Sequence, residues 1–146
     1  MTLRFFVAGT DTEVGKTAVT AGLLMAANRR GLRTAAIKPV AAGCVQTAEG
    51  LRNDDALVLQ AAMSEPLTYD QINPVALAAP ISPHLAAAEA GRRLTIAQLA
   101  GLCRGTLMLR ADLTLIEGAG GWRVPISDRE LLSDLPRELD LPVILV

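Results

Sequence analysis

Three stretches of this sequence carry residue types whose spacing could do chemistry. The first is Gly9-Thr10-Asp11-Thr12-Glu13-Val14-Gly15-Lys16-Thr17, which follows an apolar run over residues 3–8 and leads into a helical pattern from Ala18. A strand, a glycine-bounded loop and a helix N-terminus direct backbone N–H groups at one anion. In such a cradle Lys16 reaches the β/γ-phosphates of a nucleotide and the Thr17 hydroxyl meets Mg²⁺. An ordinary strand-to-helix turn with a capping threonine would give no reason for the lysine. Counting from Gly9, one residue more than usual precedes Gly15-Lys16-Thr17, so the usual first-glycine position falls on Thr10 and the loop is a longer variant.

The second stretch is Lys38-Pro39. Of the 14 basic residues only Lys16 and Lys38 are lysines. Where a chain otherwise uses arginine, a compact ammonium that can shift its protonation stands out. The third is Glu117-Gly118-Ala119-Gly120-Gly121-Trp122, an acid followed by a turn whose glycines allow close backbone approach to a ligand. Magnesium on nucleotide phosphates is commonly held by one or two carboxylates, the loop hydroxyl and waters, and Glu117 fits that role. A further acid comes from Asn53-Asp54-Asp55 at a helix start: one of these residues caps the helix and another is free to bind metal. His84, the single histidine, follows Ser82-Pro83 at a helix start, where packing or a loop hydrogen bond explains it as well as chemistry does. No second ligand type supports a zinc site there.

The elements that must position these residues follow from patterning. Residues 33–37 read as a second buried strand stopping at Lys38, and residues 112–116 as a third, ending at Glu117. In open α/β sheets ligands bind beyond the carboxyl ends of the strands, which is where Lys16, Lys38 and Glu117 would all stand. Residues 18–30 form a helix with Val19, Leu23, Ala26 and Ala27 on its apolar stripe and Gly31 ending it. Residues 40–51 read as an irregular loop, and the proline-rich residues 63–83 as a long ordered excursion over the active edge. Residues 95–108 read as a helix capped by Thr95. Residues 141–146 are a fully apolar strand, of the kind buried on both faces and continued by a crossover helix.

Composition bounds the class. A chain of 146 residues with 51% apolar but only 3% aromatic residues must build its core from Ala, Leu, Val and Ile, as buried parallel sheets do. A formal charge of -1 leaves no electrostatic footprint for nucleic acid or a membrane surface. No apolar run approaches a membrane span, and residues 1–9, interrupted by Arg4, do not form a secretion signal, so a cytoplasmic protein is expected. Cys44 and Cys103 form no pair motif and read as reduced thiols. The sequence thus predicts a single P-loop NTPase-like α/β domain over residues 1–146, a mostly parallel sheet flanked by helices that lacks its C-terminal part.

Taken in order, the phosphate loop, Lys38-Pro39-Val40-Ala41-Ala42-Gly43, residues 51–57, Ser82-Pro83-His84 and the Glu117-Gly118-Ala119-Gly120-Gly121-Trp122 turn resemble dethiobiotin synthetase over essentially the whole chain. The resemblance implies a homodimeric ligase of biotin biosynthesis. Its members use ATP, Mg²⁺ and CO₂ to close the ureido ring of dethiobiotin on 7,8-diaminononanoate (diaminopelargonate). It further implies that Thr12, Glu13, Val14, Gly15, Lys16 and Thr17 hold the ATP phosphates, and that Thr17, Asp55 and Glu117 bind Mg²⁺ directly or through water. Lys38 is implied as the active-site lysine, and Gly118, Ala119 and Gly120 line the nucleotide site. Either Asp11 or Glu13 is expected to face a substrate ammonium. Family members usually have serine where this chain has Ala42, and they continue past the Pro-Val-Ile-Leu-Val strand through segments that contact the adenine and the partner's substrate. Three other readings stay open: a partitioning-type ATPase switch, whose loops carry a further lysine near the start, a cobyrinic-acid amidase-type synthetase domain, and an inactive shortened chain.

Overall fold

The computed structural model describes residues 1–146. Its order is β1 (Leu3–Ala8), α1 (Lys16–Arg29), β2 (Thr34–Ile37), β3 (Val40–Ala41), β4 (Val45–Thr47), β5 (Gly50–Arg52), α2 (Asp54–Ala62), α3 (Tyr69–Ile72), β6 (Val75–Ala76), α4 (Pro83–Glu89), α5 (Ile96–Leu107), β7 (Leu113–Glu117), α6 (Asp134–Glu138) and β8 (Val143–Leu145). Four strands form a parallel sheet in the order β2-β7-β1-β8. Register places Phe6 beside Ile116 and Val143, and Ile37 beside Ile116, so β1, β2 and β7 end together at one edge. Strand alternation divides the core between the two faces. Phe6, Ile37 and Ile116 pack with Leu99, Cys103 and Leu135 of α5 and α6, whereas Val7, Ala36 and Leu115 pack with Leu24, Leu59 and Ile72 of α1, α2 and α3. The result is the helix–sheet–helix layering of a P-loop NTPase-like fold.

The central strands lie where the apolar runs put them, and their neighbours depart in instructive ways. The buried stripe of α1 is Lys16, Thr20, Ala21, Leu24 and Ala27, while Val19 and Leu23 of the anticipated stripe are exposed. Apolar residues occur all round this helix, and the Thr20 hydroxyl makes the buried face tolerable by donating to Lys16 O at 2.7 Å. Gly31, at φ 78°, ends the helix as expected: its N–H donates to Asn28 O, and the Leu32 N–H to Ala27 O.

The anticipated loop over residues 40–51 instead contains β3 and the antiparallel β4–β5 hairpin, elements of two or three residues that leave no periodic trace. The anticipated excursion over residues 63–83 reaches the active edge at residues 80–83, while its earlier part dives inward. Thr68 and Gln71 form a capping box for α3, whose Tyr69 and Ile72 are buried, and β6 pairs with β3. The expected last strand forms as β8 and pairs in parallel with β1, Val143 beside Phe6 and Leu145 beside Ala8.

Candidate active site at the carboxyl edge of the sheet

The loop between β1 and α1 is shaped by two glycines. A Cβ on Gly9 would stand 2.8 Å from Asp11 O and 2.9 Å from Val14 Cγ2, so only glycine fits where the chain folds back on itself. Gly15, at φ 101°, is the residue before α1 and adopts the left-handed backbone that launches the helix. Thr12, Glu13 and Val14 lie exposed on the loop, with the Thr12 N–H donating to Asp11 Oδ1 at 2.7 Å. Glu13 itself has φ 57°, an uncommon conformation for a non-glycine residue that turns the loop toward the helix.

Lys16 and Thr17 occupy the first turn of α1 and point toward the ends of the other strands. The Lys16 ammonium is buried and donates to Gly120 O at 2.6 Å, tying the phosphate loop to the glycine turn after β7. Burial, and then the neighbouring Lys38 ammonium, hold Lys16 below the ordinary lysine value, with Glu117, Asp55 and Asp11 acting in the opposite sense. A bound polyanion would favour the charged form of Lys16.

Glu117, the last residue of β7, is fully buried. Its Oε1 accepts from the Thr17 hydroxyl at 2.7 Å and from Lys38 Nζ at 3.3 Å, while Oε2 is buried without a hydrogen-bond partner. Lys38 follows β2 and is 4% exposed; it also donates to Gly118 O at 3.1 Å and lies 3.7 Å from Asp55 Oδ2. Asp55 stands in the first turn of α2. Asn53 is the N-cap there, its side chain accepting from the Ala56 N–H at 3.1 Å, so capping falls to Asn53 and leaves Asp55 free to face Lys38.

These groups border a cleft of about 640 Å³, open to solvent on one side. One wall is the phosphate loop with Thr12, Glu13 and Lys16, and the opposite wall carries Ala42, Gly43 and the segment 80–83. Lys38, Asp55, Ala119 and Gly120 form its floor and rim. Glu117 and Thr17 lie beneath the floor. Of the two loop acids, Glu13 lines the cleft and Asp11 does not. His84 is on α4 but borders a separate cleft with Arg92, Arg93 and residues 126–130, so the structure does not bring it to this site.

No group of three or more His, Cys, Asp or Glu side chains gathers into a metal nest anywhere in the chain. A nucleotide-bound magnesium does not need one. The orphaned Oε2 of Glu117, with the Thr17 hydroxyl on the other oxygen of that carboxylate and Asp55 on the far side of Lys38, would suit such an ion. Sequence reasoning missed the carbonyl of Gly120 as the Lys16 acceptor, and it missed Tyr69 and Asn73 behind Lys38. The only signal for the latter was Asn73-Pro74, which reads equally well as a turn.

Comparison with known proteins agrees with this geometry. Residues 3–146 match a family model described as an AAA domain. The chain is 61% identical over 142 residues to the ATP-dependent dethiobiotin synthetase BioD of Marinobacter nauticus, covering 97% of this chain and 61% of that protein. It is 63% identical to the protein of the same name from Pseudomonas aeruginosa strain UCBPP-PA14, with 97% and 62% covered. Against that of Serratia marcescens the identity is 52%, with 100% and 64% covered. The chain therefore spans about three fifths of the length of the curated relatives it matches. A glycine-bounded loop between β1 and α1, lysines and an acid at parallel strand ends, and a family match along the whole sheet lead to one conclusion: the chain belongs to the AAA domain family.

Proposed function

We propose that this chain carries the phosphate- and metal-binding half of an ATP-dependent dethiobiotin synthetase, which forms the ureido ring of dethiobiotin from 7,8-diaminononanoate, CO₂ and ATP. The observation that carries the reading is the half-satisfied cluster of Lys16, Lys38 and Asp55 lining one cleft with Thr17 and Glu117 beneath them. A cluster of this kind, with Lys38 and Glu117 buried, is poor as a stabilising device and well suited to meeting several negative oxygens. Homodimer formation and a cytoplasmic setting belong to the same reading.

The chemistry asks for three charge-separating steps. One substrate amine attacks CO₂, a C–N bond forms and a proton leaves, giving a carbamate. A carbamate oxygen then attacks the γ-phosphorus while the bond to the β,γ-bridging oxygen breaks and ADP departs. The second amine attacks the carbonyl carbon of this mixed anhydride and loses a proton to the departing phosphate, the C–O bond breaks, the ring closes, and phosphate leaves with the former carbamate oxygen.

Lys38, with its ammonium at the cleft floor, holds the carbamate and the transferring phosphoryl group close together. Lys16 exchanges its bond to Gly120 O for the β/γ-phosphate oxygens, and the N–H groups of residues 12–17 receive the remaining oxygens. Thr17, Asp55 and Glu117 would hold magnesium, which when bound neutralises charge on the phosphate oxygens. Gly118, Ala119 and Gly120 form the nucleotide side of the cleft, and Glu13 faces a substrate ammonium.

The test is turnover with ¹⁸O-labelled bicarbonate. Dethiobiotin with one ¹⁸O atom delivered to the released phosphate supports the ligase route. ATP hydrolysis with no label in phosphate and no dethiobiotin overturns it in favour of an ATPase switch.

A further inference from the structure

Behind Lys38 runs a chain of buried polar contacts that the mechanism leaves unused. The backbone of Lys38 is held on both sides: its N–H donates to Ile72 O at 2.7 Å, and its carbonyl accepts from Asn73 Nδ2 at 2.9 Å. Asn73 is 2% exposed, and its second amide bond goes to Val75 O at 3.2 Å. Its Oδ1 accepts from the Tyr69 hydroxyl at 2.9 Å, and that hydroxyl oxygen in turn accepts from the Asn53 N–H at 2.7 Å. Asn53 is the N-cap of α2, the helix whose first turn presents Asp55.

The relay therefore starts at the backbone of Lys38 and ends at the helix that carries Asp55, while the side chains of those two residues meet on the other side at 3.7 Å. Arg52 covers the outer face of the Tyr69 ring, 4.2 Å from its centroid, and shields the relay from water. Every donor and acceptor in the relay has its partner, a condition under which a buried network fixes one geometry.

We infer that Tyr69 and Asn73 are positioning residues that set the separation of Lys38 from Asp55. They touch neither substrate nor nucleotide. The relay closes a ring through β2, α3 and α2, and opening it at the phenol releases both side chains at once. An ångström of misplacement in an active site can cost about a hundredfold in rate. This inference rests on the proposed ligase reading for its kinetic readout, and it has a second readout that does not.

The experiment uses the full-length protein with Tyr69→Phe, which keeps the ring and removes the hydroxyl. The expected result is a kcat for dethiobiotin formation lowered about ten- to a hundredfold with KM for ATP unchanged within about twofold. The loss should shrink to less than about threefold when Tyr69→Phe is placed on Asp55→Asn, because a relay acting through that pair is not additive with it. With ¹³C-lysine labelling, the Lys16 and Lys38 side-chain signals are assigned by their loss in Lys16→Arg and Lys38→Arg spectra. At one fixed pH, Tyr69→Phe should move the Lys38 ¹³Cε signal and leave Lys16 in place. Should Tyr69→Phe fail to fold, Asn73→Ser, too short to span both bonds, takes its place with the same expectations. Unchanged kcat, full additivity with Asp55→Asn, or an unmoved Lys38 signal in a folded variant overturns the inference. A wild-type protein that makes no dethiobiotin overturns the ligase reading instead, and the Lys38 signal still decides the positioning role.

Discussion

Strands β2 and β7 run side by side and carry an ion pair at each end, and the two pairs have opposite characters. Before the strands, Arg33 meets Asp112 at 3.6 Å with side chains 55% and 35% exposed, and the Arg33 N–H donates to Asp112 Oδ2 at 2.7 Å. After them, Lys38 meets Glu117 at 3.3 Å with side chains 5% and 0% exposed, and one carboxylate oxygen goes unpaired. The first pair sits in water, where such contacts are worth little. Withdrawing the second pair from water costs several kcal/mol per ion unless every lone pair is met, and here one is not. The same two strands thus end in a solvated clasp on one side and a half-filled electrostatic site on the other. The difference teaches that the carboxyl edge gives up stability for chemistry.

The sharpest way to break this comparison is to remove the lysine or arginine from each pair. Lys38→Met is expected to lower dethiobiotin formation about a hundred- to a thousandfold, the scale of losing one electrostatic stabiliser in a dry site. Arg33→Met should leave kcat unchanged within about twofold. Steady-state kinetics on the two variants checks the pair; equal losses would mean that the two edges do not differ in kind.

Neutralising Glu117 sharpens the same contrast. Glu117→Gln keeps an acceptor for the Thr17 hydroxyl and removes the charge, so ATP should still raise the thermal midpoint while the extra increment given by Mg²⁺ disappears. Differential scanning fluorimetry with and without Mg²⁺ reads this directly.

A smaller effect is expected at Ala42, on the cleft wall where relatives of the resembled family usually have serine. A hydroxyl bonded to a charged substrate group is worth about 1.5–3 kcal/mol. Ala42→Ser should therefore lower KM for the diamine by about tenfold or more with little change in kcat.

The smallest effect belongs to the solvated clasp. The backbone N–H of Arg33, followed by its charge, holds the Asp112 carboxyl below its ordinary value of 3.8. A carboxylate with a depressed folded value stabilises the fold above its unfolded pKa, and the contribution is lost as pH falls through the folded value. Asp112→Asn should flatten the acid limb of the stability curve below about pH 4 and leave neutral pH nearly untouched. Acid unfolding monitored by circular dichroism checks it.

Much of the site was legible because its residues end strands. Lys38 and Glu117 directly follow apolar runs, Lys16 opens the helix after a third, and parallel strands deliver their ends to one edge whatever the helices do. Of the stripe read on α1 only Ala27 is buried, because periodicity needs contrast and Val19, Leu23 and Met25 leave this helix with apolar residues that are exposed. The β4–β5 hairpin and α6 are too short to show a period. The Tyr69–Asn73 relay was hidden for a different reason. Its partners lie 35 residues apart for Asn73 and Lys38 and 16 for Asn53 and Tyr69, and local propensity carries no information about such pairings.

The most direct measurement is an equilibrium titration of ATP into the wild-type protein and the Glu117→Gln variant, each with and without Mg²⁺, by isothermal calorimetry. The account predicts that Mg²⁺ tightens ATP binding to the wild type about tenfold or more and leaves the affinity of the variant nearly unchanged. Equal gains from Mg²⁺ in both proteins would contradict it, because the unpaired oxygen of Glu117 would then have no part in holding the metal and the buried pair at the end of β2 and β7 would be structural after all.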